Sequence, residues 1–213
     1  IPAALPVSSP EFTASEFDLL IVGASARAAA ASAVRAGFRP AACDLFADRD
    51  LEICGPATRA ASYPLGLKVW LSRQEFLATE AGIPPRPWMY TGALENHPDL
   101  IDAMARIAPL WGNPGHVVRA ARDPAIWCTA LSRRRLPVIP WYPGDRPSPG
   151  EGWLFKPFAS GGGLGVQQAS AIAGRPRKPG FWQQVVSGEP CSAVYLAGPN
   201  RTLLIGVTRQ WVG

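Results

Sequence analysis

A short apolar run near the start of the chain and the residues after it restrict the chain to a small number of fold classes. Asp18–Val22 is short, apolar and rich in strand-forming residues, and Gly23 ends it. Ala24–Ala36 is alanine-rich and predicts a helix, which Gly37 is placed to terminate. Arg39–Leu45 then predicts a second strand. Strand, tight turn, helix and strand in this order indicate a βαβ unit with parallel strands.

The alternation of strands and helices continues to about residue 136. Pro98–Ala108 repeats apolar side chains at helical spacing, and Asp123–Arg134 begins with a good N-cap followed by proline. The other elements predicted here are a helix at Ser72–Ala81 and short strands at Pro87–Tyr90 and Leu110–Trp111. We therefore predict an extended lead-in over residues 1–15, followed by a Rossmann-like parallel domain over residues 16–136.

The sequence changes character after residue 136. Residues 137–150 contain many prolines and predict a linker. The strands predicted beyond it are Trp153–Pro157, Gly165–Gln168, Trp182–Val186, Ser192–Leu196 and Leu203–Trp211. No helical pattern separates these strands, so we expect antiparallel pairing. The predicted fold class is α/β, becoming α+β in a mainly antiparallel second part over residues 151–213.

Charge alone does not indicate a nucleic-acid partner, although the formal net charge is +5 at pH 7. The arginines are scattered, and the densest cluster, Arg133–Arg135, has no interleaved aromatic residues. Such a cluster is typical of a helix C-terminus, where the dipole favours cations. We therefore expect no nucleic-acid partner.

Cysteine spacing and apolar patterning exclude further classes of protein. The four cysteines are widely spaced and the chain has only two histidines, so no metal-ligand pattern is present and reduced thiols are expected. No uncharged apolar run reaches the ~18 residues that a membrane span requires. No signal peptide is recognisable at the start of the sequence. These features predict a cytoplasmic protein without a membrane partner.

Lys156 and the glycine-rich segment after it form the first candidate site. Lysine is scarce, since only Lys68, Lys156 and Lys178 are present. A strand lysine offers a compact positive charge, and a glycine loop offers backbone N–H donors without side-chain obstruction. The candidate phosphate-binding residues are Lys156, Ser160, Gly161, Gly162 and Gly163. Because the lysine precedes the glycines, the segment is not a Walker A loop. The alternative is a mobile hairpin tip beside a solvated lysine.

A second candidate lies in the predicted strand before Pro190. Paired amides, Gln183 and Gln184, precede Val186, and the carboxylate of Glu189 follows a turn. Amide groups and strand backbone can recognise the edge of a purine, and a carboxylate can accept hydrogen bonds from ribose hydroxyls. The alternative is a hairpin whose polar side chains are solvated.

A third candidate is the turn at Gly23–Arg27, which opens a predicted helix. Helix N-termini bind phosphate groups. The dinucleotide fingerprint G-x-G-x-x-G requires three glycines, however, and only Gly23 is present. The alternative is a plain βα turn of small residues. A dinucleotide-dependent Rossmann enzyme therefore stays open as a second hypothesis.

The lysine–glycine segment and the amide strand, in this order, resemble the ATP-grasp superfamily. The resemblance implies that Lys156 and the loop contact the phosphates of ATP. It implies that Gln183, Gln184 and the Val186 backbone face adenine and that Glu189 approaches the ribose, with Gln184 standing where glutamate is usual. It also implies a Rossmann-like domain before an ATP-grasp domain, and Mg²⁺ as a second cofactor.

Arg122 is the cation that stands nearest to where this superfamily usually has its first phosphate-contacting lysine. The resemblance further implies that the magnesium ligands lie beyond Gly213, so that the ATP-grasp domain here is incomplete. On that basis we expect weak or absent ligase activity from this chain alone.

Further stretches resemble an ATP-grasp group of planctomycetes and methylotrophic bacteria that is related to tyramine–glutamate ligases. These stretches are Gly23–Ala29, Pro87–Pro98, Pro109–Pro114 and Leu204–Gln210. The resemblance implies an ATP-dependent carboxylate–amine ligase acting through an acyl-phosphate in one-carbon cofactor biosynthesis. Its partners would be a small-molecule carboxylate and amine, in a possible homo-oligomer. Thr91–Pro98 is a candidate loop on the acceptor side, and the alternative is a turn with a structural role alone. A non-catalytic nucleotide-binding module stays open as a third hypothesis.

Overall fold

A computed structural model describes residues 17–145, 150–198 and 200–211. The predicted lead-in at residues 1–15 lies outside them. The first domain is built on a parallel sheet with strand order β3-β2-β1-β4. Its strands are β1 (Leu19–Val22), β2 (Pro40–Asp44), β3 (Ala57–Arg59) and β4 (Trp88–Tyr90). The predicted βαβ unit is confirmed, because β1 and β2 pair in parallel on either side of one helix.

Six α-helices accompany the sheet within the described residues. They are α1 (Arg27–Arg35), α2 (Arg49–Glu52), α3 (Leu65–Glu80), α4 (Pro98–Met104), α5 (Gly115–Arg122) and α6 (Pro124–Arg133). Gly37 has a φ of +88°, which suits the glycine that ends a helix, and the Asp123 side chain caps α6 by accepting from the Ala125 N–H. Helix α3 begins earlier than predicted, because Leu67 and its neighbours Trp70 and Leu71 are buried against the sheet.

The two faces of the parallel sheet carry separate apolar clusters. Leu20 and Val22 of β1 pack on one face with Trp88 and residues of α3 and α4. Leu19 and Ile21 pack on the other face with residues of α1 and α2. Because both faces are covered, β1 is buried along its whole length, which explains its unbroken apolar sequence.

The second sheet is antiparallel, as predicted, with strand order β5-β8-β6-β7. Its strands are β5 (Trp141–Pro143), β6 (Trp153–Pro157), β7 (Gln167–Gln168) and β8 (Gly180–Gln184). Strand β5 lies inside the segment 137–150, which the sequence predicted to be a linker. Proline is tolerated there because β5 is an edge strand that pairs only with β8. Phe155, Trp182 and Ala169 form the small core on one face of this sheet.

A separate hairpin follows, formed by β9 (Cys191–Ala197) and β10 (Thr202–Arg209). The ladder contains an irregularity between Leu204 and Gly206. Large apolar side chains of both strands, including Leu196 and Ile205, are exposed. Across the described ranges, no helix combines the length and the apolar composition needed to cross a membrane.

Candidate functional site

The side chain of Lys156 is held by an amide on the neighbouring strand. Its Nζ atom donates a hydrogen bond to Oε1 of Gln183 over 2.6 Å. In the β6–β8 register Lys156 lies opposite Phe181, and Leu154 lies opposite Gln183. Residues two apart on a strand share a face, so these four side chains project from the same side of the sheet. The opposite side carries the aromatic core, which fixes the orientation of both strands.

That face of the sheet borders a groove of about 380 Å³. Two cations, Lys156 and Arg122, line it together with the glycine-rich loop. The remaining lining residues are Ala121, Trp127, Pro157, Phe158, Val166 and Phe181. No carboxylate is among the described residues that line this groove. Lys156, whose hydrogen-bond partner is a neutral amide, therefore favours an anion in the groove, and the aromatic side chains offer flat apolar surfaces beside its charge.

The loop from Ser160 to Gly165 needs its glycines for conformational reasons. Gly162, Gly163 and Gly165 have φ values of +59°, +77° and +81°, where side chains other than hydrogen are strained. No heavy atom lies within 4 Å of where a Cβ would stand on Gly162 or Gly163. The Ser160 hydroxyl donates to the Leu164 carbonyl over 2.6 Å. The loop is therefore a defined turn with open space around its tip.

Arg122, at the end of α5, lies between the glycine-rich loop and the short 3-10 helix Leu94–Asn96 of the first domain. Its guanidinium donates to the carbonyl oxygens of Phe158 and Ser160 and to Oδ1 of Asn96. It also forms an ion pair with Glu95. The structure thus brings together Arg122, Lys156, Gln183 and the loop.

The remaining predicted nucleotide-binding residues lie elsewhere. Gln184 is exposed and lies opposite Trp153, so it projects from the face opposite to that of Gln183. Val186 is exposed after the end of β8. The Glu189 carboxylate pairs with Arg209 of β10, with an Nη2–Oε1 distance of 2.8 Å. None of these three is among the described residues that line the groove.

The turn after β1 is filled by residues of the chain itself. Asp44, buried at the end of β2, accepts from the backbone N–H groups of Ala26, Phe46 and Ala47 over 2.7–2.9 Å. The Ala26 N–H is at the start of α1, where a phosphate would have to bind. The Thr91 hydroxyl donates to Ser25 O over 2.8 Å and occupies the space where a Cβ on the turn glycine would stand. The geometry therefore favours the plain βα turn.

A second hollow lies at the carboxyl end of β4. It measures about 350 Å³, and its lining includes Tyr90, Glu95, Asn113 and Arg122. The Tyr90 hydroxyl donates to Asn113 O over 2.7 Å. Burial first, and then the charge of Glu95, raises the pKa of the Tyr90 phenol, while Arg122 opposes that rise.

Tyr63 adds another phenol close to the carboxylate of Glu95. Burial first, and then the charge of Glu95, raises the pKa of Tyr63 to about 12. Both phenols therefore stay protonated at neutral pH, and the Tyr90 proton is donated to Asn113 O. Sequence reasoning did not select Tyr63 or Tyr90 as site residues, whereas Asn96 lies in the predicted acceptor-side loop Thr91–Pro98. Tyr90 could have been found, because it ends a parallel strand, where such sheets place their ligands.

The chain was compared with known sequences and structures. No protein-family model matches it, and no curated protein sequence is significantly similar. Among solved structures, it is similar to N5-carboxyaminoimidazole ribonucleotide synthetase from Thermus thermophilus, with 16% identity and a TM-score of 0.62 over 91% of this chain and 55% of that one. The ADP complex of N5-carboxyaminoimidazole synthetase from Staphylococcus aureus gives 11% identity and a TM-score of 0.60, over 92% and 55%.

A third similar structure is the biotin carboxylase–β-γ-ATP complex from Campylobacter jejuni. It has 16% identity and a TM-score of 0.60, over 92% of this chain and 52% of that one. The chain thus spans about half the length of these structures. At such identities the likeness shows the fold alone. The predicted fold class is confirmed: a Rossmann-like parallel α/β part is followed by a mainly antiparallel part.

Proposed function

We propose that this chain is the ATP-binding portion of an ATP-dependent carboxylate–amine ligase. The observation that carries the proposal is the groove in which Lys156 and Arg122 face a glycine-rich loop without a lining carboxylate among the described residues. The fold supports it, because similar structures include complexes named for ADP and for β-γ-ATP.

The groove suits the triphosphate of ATP in charge and in shape. The Nζ of Lys156 would contact a phosphate oxygen, exchanging its bond to the neutral Gln183 amide for a charged acceptor. The glycines leave room for the backbone to approach the phosphates closely. Trp127 and Phe181 supply flat apolar surfaces against which the rest of the nucleotide could lie.

The described residues do not fit a magnesium site. Mg²⁺ is held in proteins through carboxylate oxygens, and none lines the groove among the residues described. No cluster of three or more histidine, cysteine, aspartate or glutamate residues was found in the described ranges. We therefore derive no step through the metal from these residues.

The acceptor substrate would occupy the hollow beside Tyr90 and Glu95. This hollow shares Glu95 and Arg122 with the surroundings of the loop, so a substrate there would lie next to the triphosphate. Parallel sheets bind ligands at the carboxyl ends of their strands, where this hollow is found. The Glu95 carboxylate, which lines the hollow, can accept hydrogen bonds from the amine.

In the proposed reaction a carboxylate oxygen attacks the γ-phosphorus of ATP, and ADP leaves. The amine then attacks the acyl carbon, the C–N bond forms, and the C–O bond to the phosphoryl group breaks, so that inorganic phosphate leaves with the electron pair while the nitrogen loses a proton to solvent. The chain's own residues would act by holding the two reactants in line and by offsetting the phosphate charge. Within this class we propose the group related to tyramine–glutamate ligases, with a role in one-carbon cofactor synthesis.

A titration with Mg-ATP tests the proposal. We expect Lys156→Ala to weaken binding by about 1.5–3 kcal/mol, roughly ten- to a hundredfold, because a charged hydrogen bond is lost. Lys68→Ala removes the same charge from α3 of the first domain and should leave the affinity unchanged. Equal affinity of the wild-type protein and Lys156→Ala would overturn the assignment. Binding of NAD more tightly than ATP would favour the dinucleotide hypothesis instead.

A further inference from the structure

We propose that Arg122 is a positioning residue that fastens the start of the glycine-rich loop to the first domain. Its Nη1 atom donates to Asn96 Oδ1 and to Phe158 O, each over 2.6 Å. Its Nη2 atom donates to Ser160 O over 3.1 Å and lies 3.5 Å from Glu95 Oε1. One guanidinium therefore joins two acceptors of the loop to two acceptors of the first domain.

Arginine suits this position better than lysine does. The guanidinium is a planar fork with five donors, so it can reach acceptors on opposite sides at once. A lysine ammonium is a single point charge and cannot span both groups of acceptors. The side chains of Arg122 and Glu95 are 25% and 28% exposed, so water screens these contacts less than at an open surface.

The contacts divide the loop into a fastened base and a free tip. Phe158 and Ser160, at the base, are bonded to Arg122. At Gly161 a Cβ would stand 3.8 Å from Glu95 Oε1, so the chain still lies against the first domain there. Around Gly162 and Gly163 the space is open. Arg122 thus acts on a bound nucleotide through the loop, by fixing where the free tip begins.

The N–H donors on Nη1 and Nη2 of Arg122 are already bonded to acceptors of the chain, which separates this role from direct phosphate binding. If Arg122 contributed mainly its positive charge, replacement by lysine would preserve its effect. If it contributes several hydrogen bonds in fixed directions, replacement by lysine would not. The inference rests on the proposed function only where it treats the loop as a nucleotide contact, because the fastening itself is a property of the free protein.

Hydrogen–deuterium exchange of the nucleotide-free protein tests the fastening. In Arg122→Gln and in Arg122→Lys we expect peptides covering residues 158–166 to exchange about tenfold faster or more, with the sheet strands unchanged. The matched control is Arg119→Gln on the same helix, since Arg119 pairs with Asp99 and Asp102 and makes no hydrogen bond to the loop among the described contacts. The loop in that variant should exchange as in the wild type.

Asn96→Ala is a second variant, which leaves the arginine in place and removes one of its first-domain partners. We expect a smaller, several-fold acceleration confined to the same peptides. If all peptides of Arg122→Gln exchange deuterium rapidly because that variant has not folded, the exchange of Asn96→Ala tests the fastening instead. Loop exchange that stays at the wild-type rate in Asn96→Ala and in any folded Arg122 variant overturns the inference.

Mg-ATP titrations of the same variants separate the two proposals. Fastening predicts that Arg122→Lys weakens ATP binding despite its retained charge, together with faster loop exchange. Weakened binding in Arg122→Gln with wild-type loop exchange would mean a direct phosphate contact and would overturn the positioning role. A wild-type protein whose loop is fastened but that binds no ATP would overturn the proposed function and leave the fastening supported.

Discussion

The ammonium of Lys156 and the amide oxygen of Gln183 are joined across adjacent antiparallel strands by a hydrogen bond of 2.6 Å. Gln183 is only 7% exposed, so its position is set by the packing of β8. The amide is neutral and holds the lysine in place without cancelling its charge. An incoming anion therefore has to displace only one uncharged acceptor to gain the lysine.

Gln183→Glu is expected to weaken the binding of anions at Lys156. The new carboxylate would form an ion pair with Lys156 and add a negative charge beside a groove without a lining carboxylate among the described residues. We expect Mg-ATP affinity to fall by about 1.5–3 kcal/mol, because the phosphates would compete with a fixed anion. Isothermal titration calorimetry would measure the loss. Gln184→Glu makes the same charge change on the opposite face and should have little effect.

Gly163→Ala is expected to weaken nucleotide binding through backbone strain. Gly163 has a φ of +77°, and alanine there costs about 1 kcal/mol or more although the space for a methyl group is open. Gly161→Ala is the control, since Gly161 is not among the described residues with positive φ. We expect the Mg-ATP dissociation constant of Gly163→Ala to rise severalfold and that of Gly161→Ala, which adds a methyl group without this strain, to rise less. The reverse order would contradict the observed loop geometry.

Asp44→Asn is expected to destabilise the first domain. Asp44 accepts three backbone N–H bonds while 1% exposed, and asparagine would turn an N–H donor toward some of these donors. We expect a loss of about 2–3 kcal/mol in the free energy of unfolding, measured with urea. Asp48→Asn is the matched exchange at the partly exposed cap of α2, where asparagine caps equally well, so the stability of this variant should hardly change.

Alkaline pH is expected to destabilise the protein through Cys43. Burial first, and then the charge of Asp44, raises the pKa of the Cys43 thiol from 9.0 to about 12. Because the folded pKa lies above the unfolded one, the stabilisation is complete below pH 9 and is lost as pH rises toward 12. Above pH 9 the unfolded chain releases the thiol proton while the folded chain retains it.

Unfolding free energies measured from pH 8 to pH 11 would check this prediction. Cys43→Ala should show a shallower decline than the wild type, whatever its stability at neutral pH. Tyr63, with a pKa raised from 10.0 to about 12, also lowers the free energy of unfolding at alkaline pH, beginning one pH unit higher than Cys43. This contribution is the same in the wild type and in Cys43→Ala. Parallel curves for the two proteins would show that Cys43 does not contribute.

Helices and strands that begin or end at a recognisable cap, proline or glycine could be predicted from the sequence. Strand β6 falls at the predicted Trp153–Pro157, and α6 begins after the predicted cap Asp123. Helix α5 was not predicted, because the segment around Gly115 contains turn-forming residues and its packing on α4 is tertiary. At Gly115 a Cβ would stand 2.4 Å from the Pro98 carbonyl oxygen, so a close approach of two helices requires the glycine.

The sequence predicted only those parts of the candidate site whose residues are close together in the chain. Lysine followed by glycines marks the loop, and the Gln183 amide does lie beside the lysine. Which of two adjacent glutamines faces the groove depends on strand register, because alternate residues project to opposite faces. The partners of Arg122 are at sequence separations of 26, 36 and 38 residues, so no local pattern in the sequence could reveal them.

The strand order β5-β8-β6-β7 determines when the second sheet can close. Strand β8 lies between β5 and β6, yet it is the last of the four to leave the ribosome. Until β8 emerges, β5 has no partner within the described sheet, which then has only the short β6–β7 pairing. The parallel sheet is complete at Tyr90, so the first domain can be formed while the glycine-rich loop is still being synthesised. Arg122 of the folded first domain can then bind the carbonyl oxygens of Phe158 and Ser160 as soon as these residues emerge.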